Sequence, residues 1–277
     1  ALPRAQRAIA EAGLAPCRPV EQGGLAGLFP EIVARRPLQQ WAEEVPLPDG
    51  PGLFIIEDAT GAGKTEAALV LAHRLMRAGR GDGLYVALPT MATANAMYAR
   101  LSGAYARLFE PGEPPRRPSL VLAHGRRMLD PRFADSIRLD LAADAAVDDA
   151  PDQEAAAHPA SAQCAAWLAD DRRKAFLAEI GVGTIDQALM AVLPVRHAAL
   201  RLLGLSRRVL IVDEAHAYDA YVSIELMRLL HFHAALGGSA IVLSATLTSR
   251  QRTRLAAEFR AGLRQPSAPL IEPAYPL

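Results

Sequence analysis

Leu53-Phe54-Ile55-Ile56-Glu57, then Asp58-Ala59-Thr60-Gly61-Ala62-Gly63-Lys64-Thr65, then Glu66-Ala67-Ala68-Leu69-Val70-Leu71-Ala72-His73-Arg74-Leu75-Met76: this stretch decides the fold. Its first residues form an apolar run short enough for one buried strand, and its last dozen carry apolar residues at helical spacing. Between them lies a glycine-rich turn. Strand, glycine turn and helix in that order suit a phosphate-binding loop. Gly61 and Gly63 let backbone N–H groups wrap a polyphosphate, and the helix N-terminus adds its partial positive charge. Lys64 is then the residue to reach the β- and γ-phosphates, and the Thr65 hydroxyl the one to ligate Mg²⁺. One position departs from the common pattern, which has glycine where this chain has Asp58. The plainer alternative is a strand–turn–helix corner carrying Gly-Lys-Thr by chance. The flanking strand and helix favour the nucleotide loop.

A chain of 277 residues is long enough for one large or two modest domains, and its 51% hydrophobic content supplies a substantial core. Thirty basic and thirty acidic residues cancel, which argues against a dedicated nucleic-acid packaging protein while leaving room for a local basic groove. Lys64 and Lys174 are the only lysines; arginine supplies every other basic position. A lysine kept at the phosphate loop is informative in such a chain, because arginine is a poor substitute for a point charge. Cys17 and Cys164 stand far apart, which suits a reducing, cytoplasmic compartment and neither a disulfide framework nor a zinc cluster. No apolar run reaches membrane-spanning length, so no membrane partner is expected. The opening Ala1-Leu-Pro-Arg-Ala-Gln-Arg-Ala8 lacks a secretory pattern and reads as part of a longer protein.

Residues 1–30, with a possible short helix at Pro3–Ala12, read as a linker or the tail of a preceding domain, because Pro16, Pro19, Gly23, Gly24 and Pro30 punctuate them. Arg36-Pro37-Leu38-Gln39-Gln40-Trp41 opens a short helix; an amide at Gln39, ahead of the phosphate loop, suits an adenine edge. Leu84–Leu88 is a second buried strand, followed by Pro89-Thr90-Met91-Ala92-Thr93-Ala94-Asn95 and a helix through Leu108. Thr90, Thr93 and Asn95 thus cluster at a strand's C-terminal end, where parallel sheets make ligand contacts, although helix capping by Thr90 or Thr93 explains them as simply. Ser119–Ala123 is a third strand, with His124-Gly125-Arg126-Arg127 at its exit. Residues 139–166 are acidic, alanine-rich and poor in large apolar groups, and read as a mobile insertion. Helical periodicity resumes over Trp167–Phe176. Ile180–Gly183 is a short strand, and Thr184–Leu193 a helix capped by Thr184. Val209–Val212 and Ala240–Leu243 are further buried strands, with helices near Tyr221–Leu236 and Thr248–Leu263. Strands that are apolar on both faces and alternate with helices indicate an α/β fold with a parallel sheet covered on two sides.

A phosphate loop alone binds; hydrolysis also needs a carboxylate for the metal and a group to position the attacking water. Asp213 and Glu214, at the end of Val209–Val212, supply both: Asp213 for Mg²⁺ and Glu214 for the water. Adjacent strand residues point to opposite faces, so the two divide these jobs only where strand gives way to loop. His216 would couple the nucleotide to Ser244 and Thr246 at the next strand's end. An Asp-Glu pair after an apolar run is often only a solvated strand end; the company of Gly-Lys-Thr and Ser-Ala-Thr favours an ATPase.

Thr60-Gly-Ala-Gly-Lys-Thr65, Asp213-Glu-Ala-His216 and Ser244-Ala-Thr246, in that order, resemble motifs I, II and III of superfamily 2 helicases, and Arg36-Pro-Leu-Gln39 resembles their Q motif. Lys64-Thr-Glu-Ala-Ala68, Leu88-Pro-Thr-Met-Ala-Thr-Ala-Asn95, Val182-Gly-Thr-Ile-Asp-Gln187 and Ile211-Val-Asp-Glu-Ala-His-Ala-Tyr-Asp219 are more specific. They resemble the helicase–nuclease of type I CRISPR systems, over about Phe29 to Phe259. The resemblance implies a RecA-like three-layer sandwich over residues 31–265, a mostly parallel sheet between helices, with 266–277 leading towards a second motor domain. It implies ATP and Mg²⁺ as cofactors, Gln39 at adenine, and Thr60, Gly61, Ala62, Gly63, Lys64 and Thr65 at the phosphates and metal. Lys64, Asp213, Glu214 and His216 would be catalytic, and Thr90, Asn95, Gly183, Thr184 and Gln187 would follow the backbone of single-stranded DNA.

The partners implied are single-stranded DNA, an RNA-guided CRISPR surveillance complex, and the nuclease and second motor domains of the same parent. No histidine of this chain is followed by aspartate, so the nuclease's metal motif is not expected here, nor is the second lobe's arginine finger. Such a finger accelerates hydrolysis by roughly a thousandfold or more, so the chain by itself is expected to bind ATP and hydrolyse it poorly. Two other readings compete: the motor lobe of a restriction translocase or RNA helicase, and a non-catalytic nucleotide-switch docking module.

Overall fold

The computed structural model describes residues 2–4, 16–110, 118–124 and 174–266. Six strands form one sheet: β1 (Leu53–Glu57), β2 (Leu84–Leu88), β3 (Leu120–Ala123), β4 (Ile180–Thr184), β5 (Val209–Val212) and β6 (Ala240–Ser244). Their order across the sheet is β1-β6-β5-β2-β4-β3, and every pair is parallel. The cause lies in the residues. β2 to β6 are buried along their whole length, and β2, β3 and β5 are continuous apolar runs, a pattern that a sheet covered on both faces accepts.

The helices are α1 (Leu25–Leu28), α2 (Pro37–Glu44), α3 (Lys64–Arg77), α4 (Met91–Ser102), α5 (Ile185–Leu189), α6 (Ala198–Ser206), α7 (Ala220–Ala235) and α8 (Ser249–Gly262). Strand order and right-handed crossover assign them to faces. The connections from β1 to β2 and from β2 to β3 run one way across the sheet, and those from β4 to β5 and from β5 to β6 run back. Accordingly α3 and α4 cover one face, with α1 and α2 packed outside α3, while α5, α6, α7 and α8 cover the other. The result is the α/β three-layer sandwich expected.

Since all strands are parallel, all their C-terminal ends lie on one rim. Register pairs Glu57 with Ser244 and Val212 with Val242. The phosphate loop, Ser244 and the acidic pair therefore emerge side by side, with β6 between the other two. Leu88 pairs with Thr184 and Ala123 with Gly183, so Thr90, Thr184 and His124 emerge on the other half of the same rim.

The structure corrects several expected boundaries. Of the 1–30 stretch, residues 16–30 are packed on the domain, while residues 2–4 are exposed. Leu25, Leu28 and Phe29 are buried in the core, Pro19 forms an antiparallel bridge with Phe109, and Leu25 N donates to Glu43 Oε1 (2.7 Å). The helix expected through Leu108 stops at Ser102 and gives way to a 3₁₀ turn, Tyr105–Leu108, beyond Gly103. The helix expected over Thr184–Leu193 ends at Leu189; Ala191 N and Val192 N bond three residues back, the tightening that precedes Pro194. Thr184 holds the N-cap position but makes no side-chain cap bond. A helix without an expected counterpart, α6, occupies Ala198–Ser206, and its Gly204 allows close approach: a Cβ there would lie 2.6 Å from Phe176 Cβ. Of the expected helix over Trp167–Phe176, the described end is a 3₁₀ turn, Lys174–Leu177. The helix expected at Pro3–Ala12 beyond residue 4, the segment Gly125–Arg127, the insertion 139–166 and residues 267–277 lie outside the described residues. Among the described residues no helix is long and apolar enough to cross a membrane.

Candidate active site

Two left-handed glycines shape the phosphate loop: Gly61 (φ 82°) and Gly63 (φ 89°), the latter the N-cap of α3. A Cβ on Gly63 would sit 2.5 Å from Gln39 Nε2, so this glycine is also required for space. Asp58 is absent from the positive-φ residues, which is why glycine is dispensable there; its Oδ1 accepts the N–H of Ala59 (2.7 Å) and its own N–H bonds Ser244 O (3.3 Å). Lys64 is 8% exposed and donates to the carbonyls of Asp58 (2.6 Å) and Ala59 (2.9 Å). A buried ammonium held by neutral carbonyls, beside the unpaired first-turn N–H groups of a helix, is suited to a polyanion.

The acidic pair is held from the other side. Asp213 N donates to Ala87 O (2.9 Å), and Tyr218 Oη donates to Asp213 O (2.8 Å). Burial pushes the Asp213 carboxyl above its ordinary range; the neighbouring Glu214 charge raises it further, while the Glu214 N–H, Lys64 and Arg100 pull it down. A divalent cation beside it would relieve that penalty, and Thr65 lines the same cleft as Asp213. Glu214 is left-handed (φ 53°), which swings its side chain off the strand's alternation and separates its job from that of Asp213. His216 Nδ1 accepts from Ala245 N (3.2 Å) and lies 3.3 Å from Ser244 Oγ. The ring proton then belongs on Nε2, 3.3 Å from Glu214 Oε2. Ser244 Oγ also meets Thr246 O (3.2 Å), so Thr246 joins through its carbonyl.

One cleft of about 590 Å³ is lined by Gln39, Thr60, Gly61, Gly63, Lys64, Thr65, Asp213 and Glu214, whereas Ala62, His216, Ser244 and Thr246 are not in its lining. Gln39 is buried, and its Oε1 accepts the N–H of Arg36 (3.1 Å) as part of the α2 cap. The cleft also contains side chains that motif reading did not single out. Arg36 donates to Gly61 O; Arg100, from α4, is ion-paired with Glu66 of α3; Ile32 and Val33 form an apolar lip. Arg36 and Glu66 fall within the recognised segments Arg36-Pro-Leu-Gln39 and Lys64-Thr-Glu-Ala-Ala68, whereas Arg100 falls in none.

On the other half of the rim, Thr90 caps α4: its Oγ1 accepts from Thr93 N (3.1 Å), and Thr93 Oγ1 donates to Thr90 O (2.9 Å). The simpler capping account therefore holds for both threonines. Asn95 Oδ1 bonds His124 Nε2 (2.6 Å). Gly183 has a packing reason of its own, since a Cβ there would lie 2.3 Å from Tyr85 Oη and 2.4 Å from Ala123 O. Thr184 and Gln187 are buried, and Gln187 Oε1 has no hydrogen-bond partner among the described residues.

A parallel sheet between two helical layers, with a glycine loop, an acidic pair and a Ser-Ala-Thr turn on one rim, defines a RecA-like motor domain of the superfamily 2 helicase class. Over 209 residues the chain is 44% identical to the CRISPR-associated endonuclease/helicase Cas3 of Escherichia coli (strain K12), covering 76% of this chain and 22% of that protein. The crystal structure of T. fusca Cas3–ATP superposes with a TM-score of 0.78 at 36% identity, over 98% of this chain and 28% of that one. The chain belongs to the CRISPR-associated helicase–nuclease family, as its first RecA-like motor domain. A chain of a CRISPR RNA-guided surveillance complex, pre-nicking, also matches, with a TM-score of 0.54 at 31% identity over 96% of this chain and 22% of that one. No protein-family model matches the sequence. The chain spans about a quarter of the length of the curated relatives it matches.

Proposed function

We propose that this domain binds Mg–ATP in the cleft on the β1–β6–β5 half of the rim and is the first motor lobe of an ATP-dependent single-stranded DNA translocase in CRISPR interference. The observation that carries this is the convergence of Lys64, Asp213 and Glu214 on one cleft from two strands separated by β6. The fit to nucleotide is supported by the relative solved with ATP, and the CRISPR setting by family membership.

In this reading the loop N–H groups and Lys64 hold the phosphates, and Gln39 faces the base. Thr65 and Asp213 would hold Mg²⁺, which supplies charge neutralisation across the phosphates. Glu214 holds and polarises the attacking water and takes up its proton at Oε. His216 donates from Nε2 to Glu214 and accepts at Nδ1 from the loop after β6, so a change at the nucleotide moves the Ser244–Thr246 turn. Thr90, Asn95, Gly183, Thr184 and Gln187 lie along the DNA path, using polar groups and backbone N–H that contact phosphates without reading bases. Longer relatives have room for a nuclease, a second motor lobe and a docking surface for the surveillance complex. By itself this chain is a slow hydrolase, because the arginine that stabilises the transition state belongs to the second lobe.

The test is nucleic-acid-stimulated ATP hydrolysis by the longer protein that carries this domain. Glu214→Gln abolishes it while ATP binding persists, and DNA stimulates more than RNA. CRISPR interference left largely intact by Glu214→Gln would favour the docking-module reading, and a preference for RNA would favour an RNA helicase.

A further inference from the structure

We propose that Arg100 is a second cation of the nucleotide cleft, one that reads the terminal phosphate and is held in reserve by Glu66. The inference rests on the nucleotide reading of the cleft. Arg100 projects from α4, remote in sequence from the phosphate loop, yet lines the same cleft as Lys64, Thr65 and Asp213. Glu66 follows Lys64 by two residues and is 8% exposed. A carboxylate buried there repels a polyphosphate unless a cation accompanies it. Arg100 is that cation, and the two are ion-paired.

Position along the cleft makes Arg100 more than a neutraliser. Both Lys64 and Arg100 lie close enough to Asp213 for their charges to act on its carboxylate. Lys64 and the acidic pair mark the end where the γ-phosphate falls, away from Gln39. The Arg100 side chain is 47% exposed, against 10% for Glu66, so the arginine is free to reach into the cleft while the glutamate stays. A planar guanidinium has donors enough to hold a carboxylate on one edge and a phosphate on another. A group at that end distinguishes triphosphate from diphosphate, and it ties the terminal phosphate to α4, which Thr90 caps and which carries Asn95.

Equilibrium binding of Mg–ATP and Mg–ADP to the 277-residue chain tests this by calorimetry. Arg100→Gln is expected to weaken ATP binding about tenfold and ADP binding by less than about twofold, the scale of one charged hydrogen bond. Arg100→Lys retains part of the preference and guards against a folding defect. The double variant Glu66→Gln/Arg100→Gln separates the two roles of the arginine. If Arg100 serves the phosphate, the double variant recovers only the part lost to the bare Glu66 charge and still binds ATP more weakly than wild type; if it only neutralises Glu66, the double variant regains wild-type affinity and the assignment falls. Equal losses for ATP and ADP also overturn it. A wild-type chain that binds neither nucleotide overturns the nucleotide reading, and this inference with it.

Discussion

At the scale of single residues, Glu214 shows how the site uses backbone conformation. A non-glycine residue at φ 53° costs roughly 1–2 kcal/mol. Here the cost turns its carboxylate toward His216 instead of along the strand's alternation. Glycine accepts that conformation freely, and the Glu214–His216 contact is half exposed and adds little. Glu214→Gly is therefore expected to raise the melting temperature slightly, by up to about 1 kcal/mol of stability, while ending hydrolysis. A lower melting temperature would show that the glutamate stabilises the turn. Lys64, Asp213 and Glu214 were legible from the chain because each follows a buried strand within a few residues. The Arg100–Glu66 contact was not: it is made by two helices packed on one face, and although Glu66 lies within Lys64-Thr-Glu-Ala-Ala68, nothing in that segment points to Arg100.

Among elements, α7 carries a titratable weak point. His233 is fully buried; its Nε2 lies 3.0 Å from Ser239 O, which accepts the ring proton, and Nδ1 has no partner among the described residues. Protonating Nδ1 would bury a charge with no acceptor, so burial lowers the pKa to about 4, only partly offset by the bond to Ser239. The unfolded chain titrates near 6.5 and takes up the proton first. The stability that neutral His233 confers is thus complete above about pH 6.5 and drains away as the pH falls toward 4, by roughly 3 kcal/mol at most. His73 in α3 is lowered in the same way, chiefly by burial, and adds to the slope. Melting temperatures measured from pH 7.5 to 4.5 should fall, and His233→Gln, which keeps a donor for Ser239, should flatten the fall; an unchanged slope would remove His233 from the account. Strands were more legible than helices because a continuous apolar run between turns has one reading. α6 escaped notice because Ala198–Ser206 is short, has no side-chain N-cap at His197 and contains Gly204. Likewise, residues 16–29 look like a linker through their prolines and glycines, whereas Gly23 is small because the His73 ring lies 2.1 Å from where its Cβ would be.

For the whole molecule, the strand order does the organising. With β6 between β1 and β5, the Ser244–Thr246 turn lies between the glycine loop and the acidic pair, and β2, β4 and β3 carry the candidate DNA contacts onward along the same rim. One rim therefore carries both the proposed nucleotide cleft and the proposed nucleic-acid contacts. The central claim is that Lys64 and Asp213 grip a single Mg–triphosphate. Calorimetric titration of ATP into the 277-residue chain, with Mg²⁺ and with chelator, tests it most directly. The account predicts that Mg²⁺ tightens binding in the wild type, that Asp213→Asn removes this gain while metal-free binding survives, and that Lys64→Ala weakens binding under both conditions. An Asp213→Asn chain that keeps the full gain from Mg²⁺ would contradict it.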